Sequence, residues 1–376
     1  MQIQRRTSIR SAVRPWRLAP LWLGLCLGAA GCQTGPSRAG PSGVAPDRPD
    51  GGAPVPDAPP DAGACASHVD TTSDPDNCGS CGHSCGGGAC VASTCRPVAL
   101  AVGQDNPHAL AVDATSVYWT TADGQVLAAP IAGGRTTVLA SGQRSPWGIA
   151  VDADRVYWVN AVASGQVMAV SLAGGTPAVL ADLQPHPVKL AVRDGLVYWT
   201  NSGNGTVMRM PVAGGTPTPL ADHQGNTVAI AVDATTVYWS TIGQGAIRSL
   251  PVAADGPVAT IVEDQDAVAL FVRDGTVFWA NVELDGDSSQ VFELPARATT
   301  PVALGASPAP YGVVTDGETI YWTDEVTGSV LAVAASGGAA TAVATGQSSP
   351  LEIAIDAANL YWINAADNGA IMKLAR

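Results

Sequence analysis

The sequence predicts an all-β protein: a seven-bladed β-propeller of four-stranded antiparallel blades, preceded by a small disulfide-rich module. Three observations carry this. An aromatic pair recurs at near-constant spacing, four short β-type runs fill each interval, and the periodic region opens on the equivalent of a fourth strand and ends on a third. The pairs are Tyr118-Trp119, Tyr157-Trp158, Tyr198-Trp199, Tyr238-Trp239, Phe278-Trp279, Tyr321-Trp322 and Tyr361-Trp362. Successive Trp lie 39, 41, 40, 40, 43 and 40 residues apart, a period in the range of propeller blades.

One unit shows the pattern. GIAVD (148–152) is a short apolar run, RVYWVN (155–160) follows an Asp-rich turn, QVMAVSL (166–172) follows Ser-Gly, and TPAVLAD (176–182) follows Ala-Gly-Gly. β-Branched and aromatic runs between turn residues form a four-stranded meander. Val-Tyr-Trp lacks polar alternation, so both sheet faces must be covered, and a ring of stacked blades supplies that cover. The aromatic pairs then act as bulky spacers between blades. Small residues are expected where first strands converge on the axis, and Ala111, Ala150, Ala191, Ala231 and Ala354 fit, with Phe271 and Val314 as exceptions.

The ends of the repeat region predict how the ring closes. PVALAVGQ (97–104) matches the fourth-strand segments TTVLASGQ (136–143) and TAVATGQ (341–347), whereas the last unit stops after its third strand, GAIMKLAR. The stretch 97–104 should therefore complete the last blade, which removes the open sheet edges that invite aggregation.

Upstream of the ring, 1–31 carries Arg5, Arg6, Arg10, Arg14 and Arg17, no acid, and an apolar run from Leu18 to Ala30. That is the pattern of an export signal, too short for a spanning helix. LGAAGC resembles a bacterial lipobox, with Ala29 where Leu is commoner, and the resemblance implies cleavage before Cys32 and a lipid on it. Loss of 1–31 leaves 14 basic and 32 acidic residues, a net charge of −18, which repels phosphate backbones and argues against nucleic-acid partners. Residues 32–64, rich in Pro, Gly, Ala and Asp, read as a disordered tether.

Six cysteines fall in 65–95: Cys65, Cys78, Cys81, Cys85, Cys90 and Cys95. An even count in an exported chain, in a segment with almost no hydrophobes, predicts three disulfides of undetermined pairing. The rival reading makes Cys78, Cys81, Cys85 and His83 zinc ligands. DPDNCGSCGHSC is similar to short Cys-rich segments of predicted myxobacterial lipoproteins.

Residues 97–376 resemble the YWTD propellers of the low-density-lipoprotein receptor family and, more loosely, NHL-type propellers. Tyr321-Trp322-Thr323-Asp324 reproduces the YWTD motif in full; the other copies read YWTT, YWVN, YWTN, YWST, FWAN and YWIN. The resemblance implies blade structure. YWTD domains have six blades where this chain counts seven.

In propellers, ligands meet the face where one blade's fourth strand hands over to the next blade's first. The residues entering those first strands are His108, Trp147, Val188, Val228, Val268, Tyr311 and Leu351, followed by Ala109, Gly148, Lys189, Ala229, Ala269, Gly312 and Glu352. His108, Trp147 and Tyr311 suit stacking on sugars or anchoring a protein, and Lys189 and Glu352 are candidates for ion pairing or ligand contact. Glu283, Asp285 and Asp287, in a lengthened loop, are a weak candidate calcium set; no other cofactor is indicated. Asn160, Asn201, Asn281, Asp324 and Asn364 read as turn formers. No Gly-x-Ser-x-Gly elbow, His-Glu-x-x-His helix or phosphate loop is present, so no catalysis is expected.

The expectation is a monomeric, exported protein, lipid-anchored to a bacterial membrane and facing the envelope or cell surface, with Gln33 compatible with the outer membrane. It would bind a protein or glycan through the propeller face. The alternatives are a propeller hydrolase or lyase acting on a surface polymer or lactone, and a passive structural lipoprotein.

Overall fold

The computed structural model describes residues 69–253, 256–282, 289–366 and 368–376. The export signal, Cys32, the tether, Cys65 and the acidic set Glu283, Asp285 and Asp287 lie outside the described residues. Those described form seven four-stranded antiparallel sheets and one small hairpin. Blade 1 comprises Pro107–Val112, Ser116–Thr121, Val126–Pro130 and Thr137–Ala140. Blades 2 to 6 follow over 146–184, 187–221, 226–263, 267–306 and 310–344. Blade 7 consists of Pro350–Ile355, Asn359–Asn364 and Gly369–Ala375, with Val98–Gln104 as its fourth strand. Ala101 pairs with Ile371 and Val98 with Lys373, so the two ends of the ring share one sheet as the sequence predicts. First strands of neighbouring blades touch one another all the way round, which puts them at the axis.

The aromatic pairs divide their work between two interfaces. Tyr and Trp are adjacent in a strand, so they face opposite sides of the sheet. Each of the seven layers between blades accordingly holds the Tyr or Phe of one blade and the Trp of the next: Tyr118 with Trp158, Tyr157 with Trp199, Tyr198 with Trp239, Tyr238 with Trp279, Phe278 with Trp322, Tyr321 with Trp362, and Tyr361 with Trp119. All seven Trp have no exposed surface. Truncating one to Ala costs roughly 3–5 kcal/mol.

A buried indole N–H needs an acceptor, and most of the blades find one at the end of the preceding fourth strand or in the linker just after it. Trp119, Trp158, Trp199, Trp279 and Trp362 donate to the side-chain oxygens of Gln104, Gln143, Gln184, Gln265 and Gln347, at 2.9 to 3.3 Å. Asn160, Asn201 and Asn364 donate to the same oxygens of Gln143, Gln184 and Gln347. These Asn therefore join blade to linker, a larger role than turn formation. In blade 6 the Gln is replaced by Ser307, which accepts from Trp322 at 3.2 Å and donates to Asp324. In blade 4 the Gln224 side-chain oxygen and the Trp239 N–H are buried and make no bond to protein.

The turns between first and second strands, on the face opposite the strand entries, come in two forms. In blades 1, 2, 4, 6 and 7 an Asp (Asp113, Asp152, Asp233, Asp316, Asp356) accepts from the backbone N–H groups two and three residues on. It also accepts from the Tyr hydroxyl five residues on. In blades 3 and 5 the sequence is Arg-Asp-Gly, and Arg193 pairs with Leu196 and Arg273 with Thr276 around a two-residue loop. Asp194 and Gly195, and likewise Asp274 and Gly275, have positive φ. This loop suits Asp-Gly and needs no capping carboxylate. Arg193 and Arg273 thus occupy positions that are Asp in the other five blades.

The Cys-rich module packs against this same face. Cys78–Cys90 and Cys85–Cys95 are disulfides, and Cys81 is also disulfide-bonded. The zinc reading fails because Cys78, Cys81 and Cys85 are each in a disulfide: the one candidate ligand cluster among the described residues, Cys78, Cys85 and Cys95, is made of bridge atoms. The bridges continue the buried layer between blades 6 and 7 alongside Leu360 and Leu374. Lys373, only 5% exposed, donates to Gly86 O in the module and to Ile131 O in blade 1, both at 2.9 Å. One ammonium group thereby ties module, first blade and last blade together.

Candidate functional site at the axial mouth

The mouth is built by a bulge. In every blade the pairing of first with second strand slips just after the strand begins, for example between Pro146 and Ile149 or Pro187 and Leu190. The slip takes backbone groups out of the ladder. The Thr or Ser after Tyr-Trp satisfies them in several blades. Ala229 N donates to Ser240 Oγ at 3.1 Å and Gly312 N to Thr323 Oγ1 at 3.0 Å. Thr120 donates to Trp147 O at 2.8 Å, Thr200 to Val228 O at 3.2 Å and Thr323 to Leu351 O. These three Thr hydroxyls each hold the next blade's entry residue. Sequence reasoning missed this role, although the repeated Thr and Ser in YWT and YWS were its signal.

The seven entry residues make a collar. His108, Trp147, Val188, Val228, Val268, Tyr311 and Leu351 are all half-buried, at equivalent positions around the axis. His108 and Trp147 stack with ring centroids 4.2 Å apart and planes inclined by 33°. His108 Nδ1 lies 3.2 Å from Pro146 O; a carbonyl only accepts, so Nδ1 carries the proton. Burial pushes the His108 pKa down, with the Pro146 bond and Asp105 opposing and Lys189 adding to the fall. The Tyr311 hydroxyl is pushed up, by burial first and then by the charges of Glu352 and Glu325.

Below the collar the second row is small in five blades, which leaves space on the axis. In blade 2 the close packing requires glycine, because a Cβ on Gly148 would meet Val188 O at 2.7 Å and Lys189 Cα at 2.9 Å. Lys189 of blade 3 and Glu352 of blade 7 fill that space by forming an ion pair across the channel, their side chains 16% and 17% exposed. The pair lies in a cavity of about 120 Å³ whose other walls include Leu110, Ile149 and Leu190. Of the sequence-predicted site residues, the structure brings Lys189 to Glu352 and His108 to Trp147. Tyr311 lies within electrostatic reach of Glu352.

With this geometry described, comparison with solved structures is direct. A streptogramin B lyase matches with TM-score 0.62 and 12% identity, over 74% of this chain and 96% of its own. Virginiamycin B lyase from Staphylococcus aureus matches with TM-score 0.62 and 14% identity, over 75% and 98%. The WD40 propeller domain of Doa1 matches with TM-score 0.61 and 14% identity, over 74% and 96%. The likeness is one of fold. Likeness of fold carries no site with it. No protein-family model matches the chain, and no curated protein matches it.

Proposed function

We propose that this protein is a lipid-anchored, non-catalytic binding module of the bacterial envelope that recognises a protein or glycan through the collar. The observation that carries the reading is the Lys189–Glu352 pair. The two charged side chains of the second row are spent on each other, under a collar that is chiefly aromatic and aliphatic. A hydrolytic or lyase site calls for polar groups converging on a substrate; a half-buried aromatic collar suits stacking and hydrophobic anchoring.

The placement of the module supports the same reading. Residues 69–95 sit at the turns opposite the collar, held by Lys373. The module thus leaves the collar uncovered. The fold neighbours that are lyases supply the second reading, an enzyme acting on a surface polymer or lactone.

One experiment separates the two. The ring and its Trp147→Ala/Tyr311→Ala variant are applied to a bacterial glycan array, crosslinked to envelope fractions, and incubated with virginiamycin B under mass-spectrometric readout. Glycan or protein capture that is lost in the folded variant, with virginiamycin B intact, is the expected result. Turnover of virginiamycin B, or capture indifferent to the variant, refutes the proposal.

A further inference from the structure

The face opposite the collar carries a second feature, independent of the mouth. Residues 97–376 hold 11 Lys and Arg against 25 Asp and Glu, yet three of those cations, Arg193, Arg273 and Arg297, line one cleft of about 930 Å³. Two of them stand where the other five blades carry the capping Asp. The exchange is possible because the Asp-Gly loops of blades 3 and 5 need no cap, and blade 5 has Phe278 in place of the Tyr whose hydroxyl the Asp would accept. The Asp233 turn of blade 4 lies between the two substituted blades.

The guanidinium groups have only weak, exposed carboxylate partners. Arg193 and Arg273 approach only their sequence neighbours Asp194 and Asp274, at 3.4 and 3.6 Å, and those carboxylates are 75% and 92% exposed. Pairs of that kind contribute little. Arg273 also reaches Thr315 O at 3.4 Å. Arg297 has no carboxylate partner among the described residues. The cleft thus gathers three cations on a strongly acidic ring.

We propose that the cleft between Arg193, Arg273 and Arg297 binds an organic phosphate ester. A carboxylate offers two oxygens and one charge, which one guanidinium fork satisfies; a phosphate monoester offers three free oxygens and close to two charges, which suits several forks. The cleft is far larger than a phosphate group and lies in the size range of small-molecule sites. Thr235 and Tyr238 of blade 4 and Val272 line part of the rest of it, together with the carboxylates of Asp233, which is bonded to its own turn, and Asp274, so the three guanidinium groups leave a net positive lining. The ester's remaining body occupies that part.

The test is calorimetry on the chain lacking 1–31, with glycerol 3-phosphate, inorganic phosphate and acetate as probes, alongside co-sedimentation with phosphatidylcholine vesicles with and without phosphatidylglycerol. Glycerol 3-phosphate should bind more tightly than inorganic phosphate, and acetate should not bind. Arg193→Ala/Arg273→Ala should weaken binding about tenfold or more, the size expected from losing charge-assisted bonds, with unchanged melting because both residues are exposed. Arg193→Lys/Arg273→Lys should recover part of it. Trp147→Ala should leave it intact, which separates this cleft from the collar. Vesicle binding that requires phosphatidylglycerol and the two arginines assigns the ester to a lipid headgroup, and binding of glycerol 3-phosphate alone assigns it to a free metabolite. Equal affinity for inorganic phosphate and the ester, binding unchanged in the Ala variant, or no binding to any phosphate probe or vesicle overturns the proposal.

Discussion

Ser307 donates its hydroxyl proton to the Asp324 carboxylate while accepting the indole N–H of Trp322. In blades 2, 3 and 7 the same junction is made by Gln, whose carbonyl accepts from both Trp and Asn. In these three blades the Gln oxygen meets a donor at the fourth motif position, Asn, whereas Thr121 of blade 1 gives its hydroxyl proton to Asp123 instead. A Ser that still has a proton to give requires an acceptor, hence Asp. Hydrogen-bond polarity therefore accounts for why blade 6 alone reads Tyr-Trp-Thr-Asp. Burial pushes the Asp324 pKa up, but bonds from Ser307, Thr327 N and Ala309 N outweigh it and hold the carboxyl below its usual range.

That junction yields a double-mutant cycle. Ser307→Gln and Asp324→Asn each leave a buried polar group mispaired and should cost about 1–3 kcal/mol. Together they recreate the Gln–Asn junction of the neighbouring blades and should recover a large part of the loss, a coupling of about 0.5–3 kcal/mol. Urea denaturation of the four proteins measures it; additive losses would contradict the account.

Gly148→Ala should destabilise the ring by about 1–3 kcal/mol, since the added methyl meets backbone of the next blade's first strand and cannot be accommodated by a rotamer change. Ala229 carries a methyl at the equivalent position, so Ala229→Gly serves as the contrast and should be far milder. Thermal melts of the two variants check this.

His108 should make stability fall on acidification. Its native pKa lies below the ordinary histidine value of 6.5, so below about pH 6.5 the unfolded chain binds the proton before the native ring does. Stability from this residue is full above that pH and is lost as pH falls toward the lowered native value. Denaturant midpoints of wild type and His108→Gln between pH 7.5 and 5 should diverge, with the variant losing less.

Lys373→Met removes the ammonium that holds Gly86 and Ile131. Limited proteolysis should then cut within 69–95 faster, while the ring itself resists. Unchanged cleavage would show that the disulfide layer alone fixes the module.

Much of this architecture was legible in the sequence because it repeats. Seven copies of Val-Tyr-Trp reported blade number and the covered sheet faces, and the match of 97–104 to fourth-strand segments reported the closure later seen between Ala101 and Ile371. Junction residues were harder. Gln143 or Gln184 looks like an ordinary polar residue after a strand, and its bond to a Trp 15 residues on depends on where the next blade stacks. The Lys189–Glu352 contact spans the axis between blades 3 and 7, so the sequence offered the two charges without saying that they meet. Arg193 and Arg273 were visible only as exceptions to an Asp that had not been recognised as a rule.

The ring's closure by its own two ends underlies both the collar and the arginine cleft. Hydrogen exchange at the amides of Gly369–Ala375 tests it most directly, in the full ring and in a chain lacking 97–104. The account expects strong protection in the first and, in the second, its loss at the amides bonded to 97–104, while those bonded to Asn359–Asn364 stay protected, because Ile371 and Lys373 lose Ala101 and Val98 but keep Ile363 and Tyr361. Equal protection in both proteins would contradict it.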